Sequence, residues 1–308
     1  MLRFILVYAI LNIGVVMGES KQQALQRLYA NYTDYYGMVT LYNSSLSHSE
    51  QGLYDSENQH LWSGEAAILI QLNDLGRPLK LEQGYEGALV ATRATIDSKP
   101  VFGLYSRHPD PFRFSKDFHA VSLDEYNGIL YYTSTRKGEM DYIAHDILAY
   151  GEKNAFAYID EAPNTNPLKE AKEQGVWTTI KQIYDYLKNK RESKVVEHLS
   201  RIRLPRDVAF YRIMAGESPK FLEMTHLVIA SILSSFTSPE DTGGKLLTYF
   251  RYRAMNNKGY NNIILNLSEK IFTRQLRKQY GEYYLSELIK IYFKDEHHPF
   301  HTLAEGIK

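Results

Sequence analysis

Apolar residues recur along most of this chain at spacings of three, four and seven, the period of one face of an α-helix. Between Glu57 and Leu75 the face is Leu61, Ile68, Leu72 and Leu75, which reads as an amphipathic helix. Gln22 to Tyr32, Tyr142 to Tyr150, Val176 to Lys190, Asn261 to Tyr280 and Glu282 to Phe293 repeat the pattern. Leu81, Tyr85, Ala88, Leu89 and Ile96 continue it. Helix starts are marked locally. Ser122-Leu-Asp-Glu125 has capping-box spacing, in which the serine accepts from a first-turn amide and Glu125 returns the bond. Ser218-Pro219 and Ser238-Pro239 each pair an N-cap serine with a proline at the first helical position. Only "GMVTLYN" from Gly37 and "PVFGLYS" from Pro100 read as short strands. The pattern predicts a mostly α protein of roughly ten helices, a helical array with a few short strands. Two long connections, Asp97 to Val121 and Gly151 to Gly175, interrupt it, and loops of this length usually serve function or lack order.

The first residues change the picture of where the protein works. Arg3 precedes an apolar run from Phe4 to Met17, and Val16 and Gly18 place small residues before Glu19. This is the layout of a cleavable export signal over residues 1–18, and the run is shorter than the ~20 residues of a membrane span. The expected location is secreted or periplasmic, with membrane contact only through that signal. The remainder divides into an N-terminal helical half, 19–160, and a C-terminal half, 161–308, or forms one continuous domain over 19–308. The chain contains no cysteine, so thiol nucleophiles and cysteine-ligated zinc are excluded. Lysine plus arginine equals aspartate plus glutamate at 36 each, so no global field favours nucleic acid, and no nucleic-acid partner is expected. Tyrosine is abundant at 25, against 13 Phe and 2 Trp. Tyrosines line sugar-binding grooves, and they also serve as core residues with a polar tip.

Candidate chemistry gathers in three polar clusters of the first half. One is Glu57, Asn58, Gln59 and His60, with Glu65 further along the same helix; the second is Tyr105, Arg107 and His108; the third is Asp124, Tyr126 and Asn127. Two carboxyl groups from separate segments suit acid–base cleavage of a glycosidic bond, one protonated and one ionised. Glu57 or Glu65 and Asp124 or Glu125 are the candidates, and Glu65 falls on or beside the apolar stripe, where burial would raise its pKa. A β-elimination instead needs a base, a proton donor and a group that neutralises a uronate, which His60, Tyr105, Tyr126, Arg107, His108, Asn58, Gln59 and Asn127 supply. Each residue also has a plainer reading. Acids in a first helical turn complement the macrodipole, Glu125 is explained by capping, and loop-end histidines bond the backbone. Glu296, His297, His298 and His301 near the C terminus are residue types that ligate metals, but a histidine also suits a helix C terminus. No metal or cofactor is expected.

Taken together, "SENQHLWSGE", "GLYSRHP" and "SLDEYNG", spread over Tyr54 to Gly128, resemble at fold level the (α/α) toroid glycoside hydrolases and polysaccharide lyases. The resemblance implies an (α/α) toroid and a site at helix entrances; no residue role is carried over from it. The expected function is an exported carbohydrate-active enzyme that cleaves a polysaccharide or oligosaccharide by hydrolysis or β-elimination. The alternative is a non-catalytic envelope or virion protein that binds glycan or protein.

Overall fold

The computed structural model describes residues 18–43, 58–76, 79–96, 99–109, 122–154 and 203–308. Among them the chain is mostly helical. It runs α1 (Lys21–Asn31), α2 (Gln59–Leu72), α3 (Leu79–Thr92), β1 (Arg93–Ile96), β2 (Lys99–Tyr105), α4 (Leu123–Ser134) and α5 (Asp141–Lys153). Then follow α6 (Arg203–Met214), α7 (Phe221–Ser234), α8 (Thr242–Asn257), α9 (Ile263–Tyr280), α10 (Tyr284–Tyr292) and α11 (Phe300–Ala304). Residues 1–17 of the expected export signal, Glu57, the Val176 to Lys190 pattern and the 160/161 boundary lie outside the described residues. No helix among the described residues is long and apolar enough to cross a membrane.

Local chemistry explains most helix starts. Ser20 caps α1 in a full capping box with Gln23. Ser122 accepts from the Glu125 amide at 3.3 Å, as its spacing predicts. The Glu125 carboxylate stands 3.8 Å from Arg107. Neither Ser-Pro signal supplies the first residues of a helix. Helix α7 begins at Phe221, where Glu223 accepts from the Lys220 amide at 2.9 Å, and α8 begins after Asp241. Ser238 instead closes a turn, its carbonyl accepting from the Asp241 amide at 3.0 Å. The expected strand at Pro100 forms as β2 and pairs antiparallel with β1, Ile96 opposite Lys99. Ile96 therefore belongs to a strand and not to the helix its spacing suggested. "GMVTLYN" contributes one isolated bridge, Thr33 to Val39.

Helix α4 packs against α2, α5, α6 and α8, so elements from before residue 154 and after residue 203 share one core. Helix α2 was expected to be amphipathic. It is buried on every face from Gln59 to Ile70, because α3, α4, α8 and α11 all contact it. A helix enclosed in this way needs no polar face. Full burial of a side chain such as Ile68 or Leu69 is worth about 1.5–3 kcal/mol. Helices α5 and α9 keep one buried stripe, Ile143, Ala144, Ile147 and Leu148 in the first and Leu265, Phe272 and Leu276 in the second.

Helices α2 and α4 meet backbone to backbone at two glycines. A Cβ on Gly64 would meet the Gly128 backbone, and a Cβ on Gly128 would meet the backbone of His60 and Leu61, in each case closer than 3.0 Å. At the far end, the Asn257 side chain donates to Gln71 Oε1 at 2.7 Å and to Ser134 Oγ at 3.3 Å, joining the ends of α8, α2 and α4. The three helices therefore run in the same direction. Their opposite, N-terminal ends share one cavity with the start of α6.

Candidate functional site

That cavity has a volume of about 410 Å³. Asn58, Leu61 and Glu65 reach it from α2, Asp124 from the first turn of α4, Arg206 from α6, and Asp241 with Gly243 and Gly244 from the start of α8. Ser234 and Tyr292 complete its wall from α7 and α10. The first turns of several helices thus face one space, and the partial positive charge of each favours negative groups there.

Glu65 is the unusual member. Its side chain is 2% exposed, and its Oε2 has no hydrogen-bond partner among the described residues. Burial first, and the charge of Asp124 second, push its carboxyl well above the ordinary range. Both influences favour the protonated form of Glu65 over the carboxylate. Asp124 stands in the same cavity with Arg206, whose guanidinium it attracts. Asn58 sits at the N-cap of α2 without making a side-chain cap bond.

The floor beside Asp241 rests on Lys245, which is fully buried. Its ammonium donates to Thr237 Oγ1 at 2.9 Å, the Ser238 carbonyl at 2.6 Å and the Asp241 carbonyl at 3.1 Å. Burial lowers its pKa, and Asp241 opposes that shift. Lys245→Met should destabilise the protein by about 1–3 kcal/mol, because three acceptors lose their donor. Thermal unfolding measures it; an unchanged Tm would mean that water replaces the ammonium at no cost.

The other expected site residues do not reach this cavity. Most of them join a separate buried network. His60 is fully buried; its Nε2 donates to the Ser106 carbonyl at 3.1 Å and its Nδ1 accepts from Tyr85 at 2.8 Å. Burial holds its pKa down to about 4, so the ring is neutral and both nitrogens are engaged. His108 Nε2 lies 2.8 Å from Asp34 Oδ2, which also accepts from Gln59 Nε2 at 3.1 Å. The other Asp34 oxygen accepts from the Tyr36 and Met38 amides at 2.9 Å. This network ties the 34–38 turn to α2 and to the end of β2. Tyr126 donates to the Gly103 carbonyl at 3.2 Å and packs edge-on against Tyr105, while Arg107 faces Glu125. Asn127 is fully buried. The histidine and tyrosine set expected to serve elimination is thus spent on structure.

The C-terminal histidines are structural as well. His298 is buried, stacked on Phe293 at 4.5 Å and bonded to the Thr40 carbonyl at 3.2 Å. Among the described residues no group of three His, Cys, Asp or Glu is placed to hold a metal. A second cavity of about 410 Å³ lies at the opposite helix ends, where Arg136 is enclosed by Glu82, Glu86 and Glu139.

Sequence reasoning missed Arg206 and Asp241. A signal for the first exists: a cation in the first turn of a helix opposes the macrodipole and calls for a partner. That partner is the adjacent Asp207. No family model matches this chain, and no curated protein or solved structure matches it.

Proposed function

We propose that this protein is an exported glycoside hydrolase that cleaves an oligosaccharide or polysaccharide by acid–base catalysis. The observation that supports this reading best is one cavity lined by two carboxyl groups in unlike surroundings, Glu65 buried and Asp124 beside a guanidinium. Groups whose environments separate their charge states are suited to acid and base roles. Glu65 gives its proton to the departing glycosidic oxygen as the bond to the anomeric carbon breaks. Asp124 either takes a proton from the attacking water or bonds the anomeric carbon itself, to be released by water. Hydrolysis is preferred over β-elimination because His60 and His108, the histidines suited to proton abstraction, and Gln59 are engaged with Ser106, Tyr85 and Asp34.

The same-direction helices α2, α4 and α8, with helix entrances around one cavity, accord with the toroid reading of the fold. The export reading rests on the apolar run after Arg3. It predicts that protein recovered from outside the cytoplasm begins at Glu19, which intact-mass measurement checks; a full-length mass in the cytosol overturns it.

The central test is turnover on a panel of neutral and acidic polysaccharides and aryl glycosides. Wild type should release reducing ends. Glu65→Gln and Asp124→Asn should each lose roughly 100-fold or more in kcat while melting as cooperatively as wild type. Products carrying a new ultraviolet-absorbing double bond would turn the reading to elimination. If wild type cleaves nothing yet binds glycan, and both variants bind equally well, the protein is a binding module.

A further inference from the structure

An ion triad stands directly behind the cavity wall. The Arg206 guanidinium meets Asp207 through two parallel hydrogen bonds, Nε to Oδ1 at 3.1 Å and Nη2 to Oδ2 at 2.9 Å. Asp207 is fully buried, and its Oδ1 also accepts from Arg251 Nη2 at 2.6 Å. Arg251 is 1% exposed and has its guanidinium 5.9 Å from the centre of the Phe210 ring. Two guanidiniums therefore share one carboxylate, which leaves the triad one positive charge in surplus. Of its three members only Arg206 lines the cavity, and Asp124 lines it too. A buried charge is costly without a counter-charge, and Asp124 is placed to supply one. The bidentate grip of Asp207 fixes the guanidinium plane, as such forks do, and Arg251 fixes Asp207.

We infer that Arg206 is a positioning residue of this site: clamped from behind by Asp207 and Arg251, its charge holds Asp124 as the carboxylate of the Glu65–Asp124 pair. The meaning of this for turnover rests on the hydrolase reading; the electrostatics do not. The following charged and titratable groups, among the described residues, stand around Asp124. Helix α2 brings Glu65, α6 brings Arg206 and Asp207, and α8 with its cap brings Arg251 and Asp241. On α4 itself stand Tyr131, which also feels Arg251, Glu65 and Asp207, and Glu125, which faces Arg107. The acids of α5 interact elsewhere: Asp146 with Arg93 and His145, Asp141 with Lys258 and Glu152 with Arg212. Among the described residues lining the cavity, Arg206 is the one cation against the carboxyl groups of Glu65, Asp124 and Asp241. Without it, the other charged or titratable side chains described as lining the cavity beside Asp124 are the carboxyl groups of Glu65 and Asp241. The order of proton loss within the pair then follows: Arg206 favours charge on Asp124, and that charge discourages ionisation of Glu65.

Carboxyl-carbon NMR titration of protein labelled in Asp and Glu tests this, with Glu65→Gln and Asp124→Asn assigning the two signals. In wild type Asp124 should titrate below Glu65. In Arg206→Gln, which keeps a donor for Asp207 but removes the charge, the Asp124 midpoint should rise by about one unit or more. The Glu65 midpoint should fall towards it. Arg206→Lys, which restores the charge, should recover most of the wild-type order. An Asp124 midpoint that is unchanged in folded Arg206→Gln overturns the inference. If that variant does not fold, wild type alone decides: Asp124 titrating at or above Glu65 overturns it equally. A wild type that cleaves no glycan would defeat the hydrolase reading without touching this result, because the titration needs no turnover.

Discussion

Gly128→Ala should be among the most destabilising single-methyl changes in this protein. Its Cβ would fall on the backbone of His60 and Leu61 in α2, not on a side chain that can rotate away. Relief requires α2 and α4 to separate, and both are buried along nearly their whole length. Overpacking of a tight core costs about 1–3 kcal/mol and sometimes more, and a backbone-on-backbone overlap belongs at or above the top of that range. The Tm should fall by roughly 6 °C or more, or the variant should fail to fold. Gly64→Ala meets the same wall from the other side, at the Gly128 carbonyl, and should behave alike. Gly87 provides the contrast. It is exposed within α3, and nothing lies within 4 Å of its added methyl group. Gly87→Ala should therefore stabilise by about 0.5–1 kcal/mol through helix propensity. A Gly128→Ala protein that melts with wild type would mean that α2 and α4 do not cross at these glycines.

Acid should weaken the fold well before its carboxylates protonate. Burial lowers the pKa of His60 to about 4 and that of His298 to about 3, each partly opposed by a backbone hydrogen bond. In the unfolded chain both rings take up a proton near pH 6.5. As pH falls from above that value, the unfolded state binds protons that the folded state refuses. The stability present above pH 6.5 is lost progressively until the folded values of about 4 and 3 are reached. By pH 5 the two histidines together should cost about 4 kcal/mol. Glu65 acts in the opposite sense. Its raised pKa means that the folded state holds a proton the unfolded chain releases above about pH 4.5, so its contribution is lost as pH rises from there. Glu65→Gln should therefore raise stability at pH 7 and make the loss between pH 7 and pH 5 steeper. Urea midpoints measured across that range check both slopes. A wild type and a Glu65→Gln variant that are both flat from pH 7.5 to pH 5 would show that neither histidine is held neutral by burial.

These two expectations stand at different distances from the sequence. Helix identity was legible because it is local. The stripes of α5 and α9, the serine cap at Ser122, and the strand at Pro100 each follow from contacts within a turn or a hairpin. Glu65 was also legible as an acid on the apolar side of a helix, and Asp124 as a first-turn carboxylate on another. Their meeting in one cavity was not, and neither was the diversion of Gln59, His60 and His108 to Asp34 and Ser106. Neighbours such as Asn58, Gln59 and His60 leave a helix about 100° apart, so one faces the cavity while the next two enter the core. Which of them does so depends on what packs against each face, and α4, α8 and α11 come from far along the chain. Arg206 and Arg251 belong to the same class: the charge of each is plain in sequence, but the single carboxylate they share is found only after α6 and α8 pack together. The sequence by itself determined the helices, the absence of thiol chemistry and the polar residues at helix entrances. The tertiary structure decided which of those residues face the cavity and which are buried around Asp34, because helix direction and the Gly64–Gly128 approach are set by contacts between distant segments.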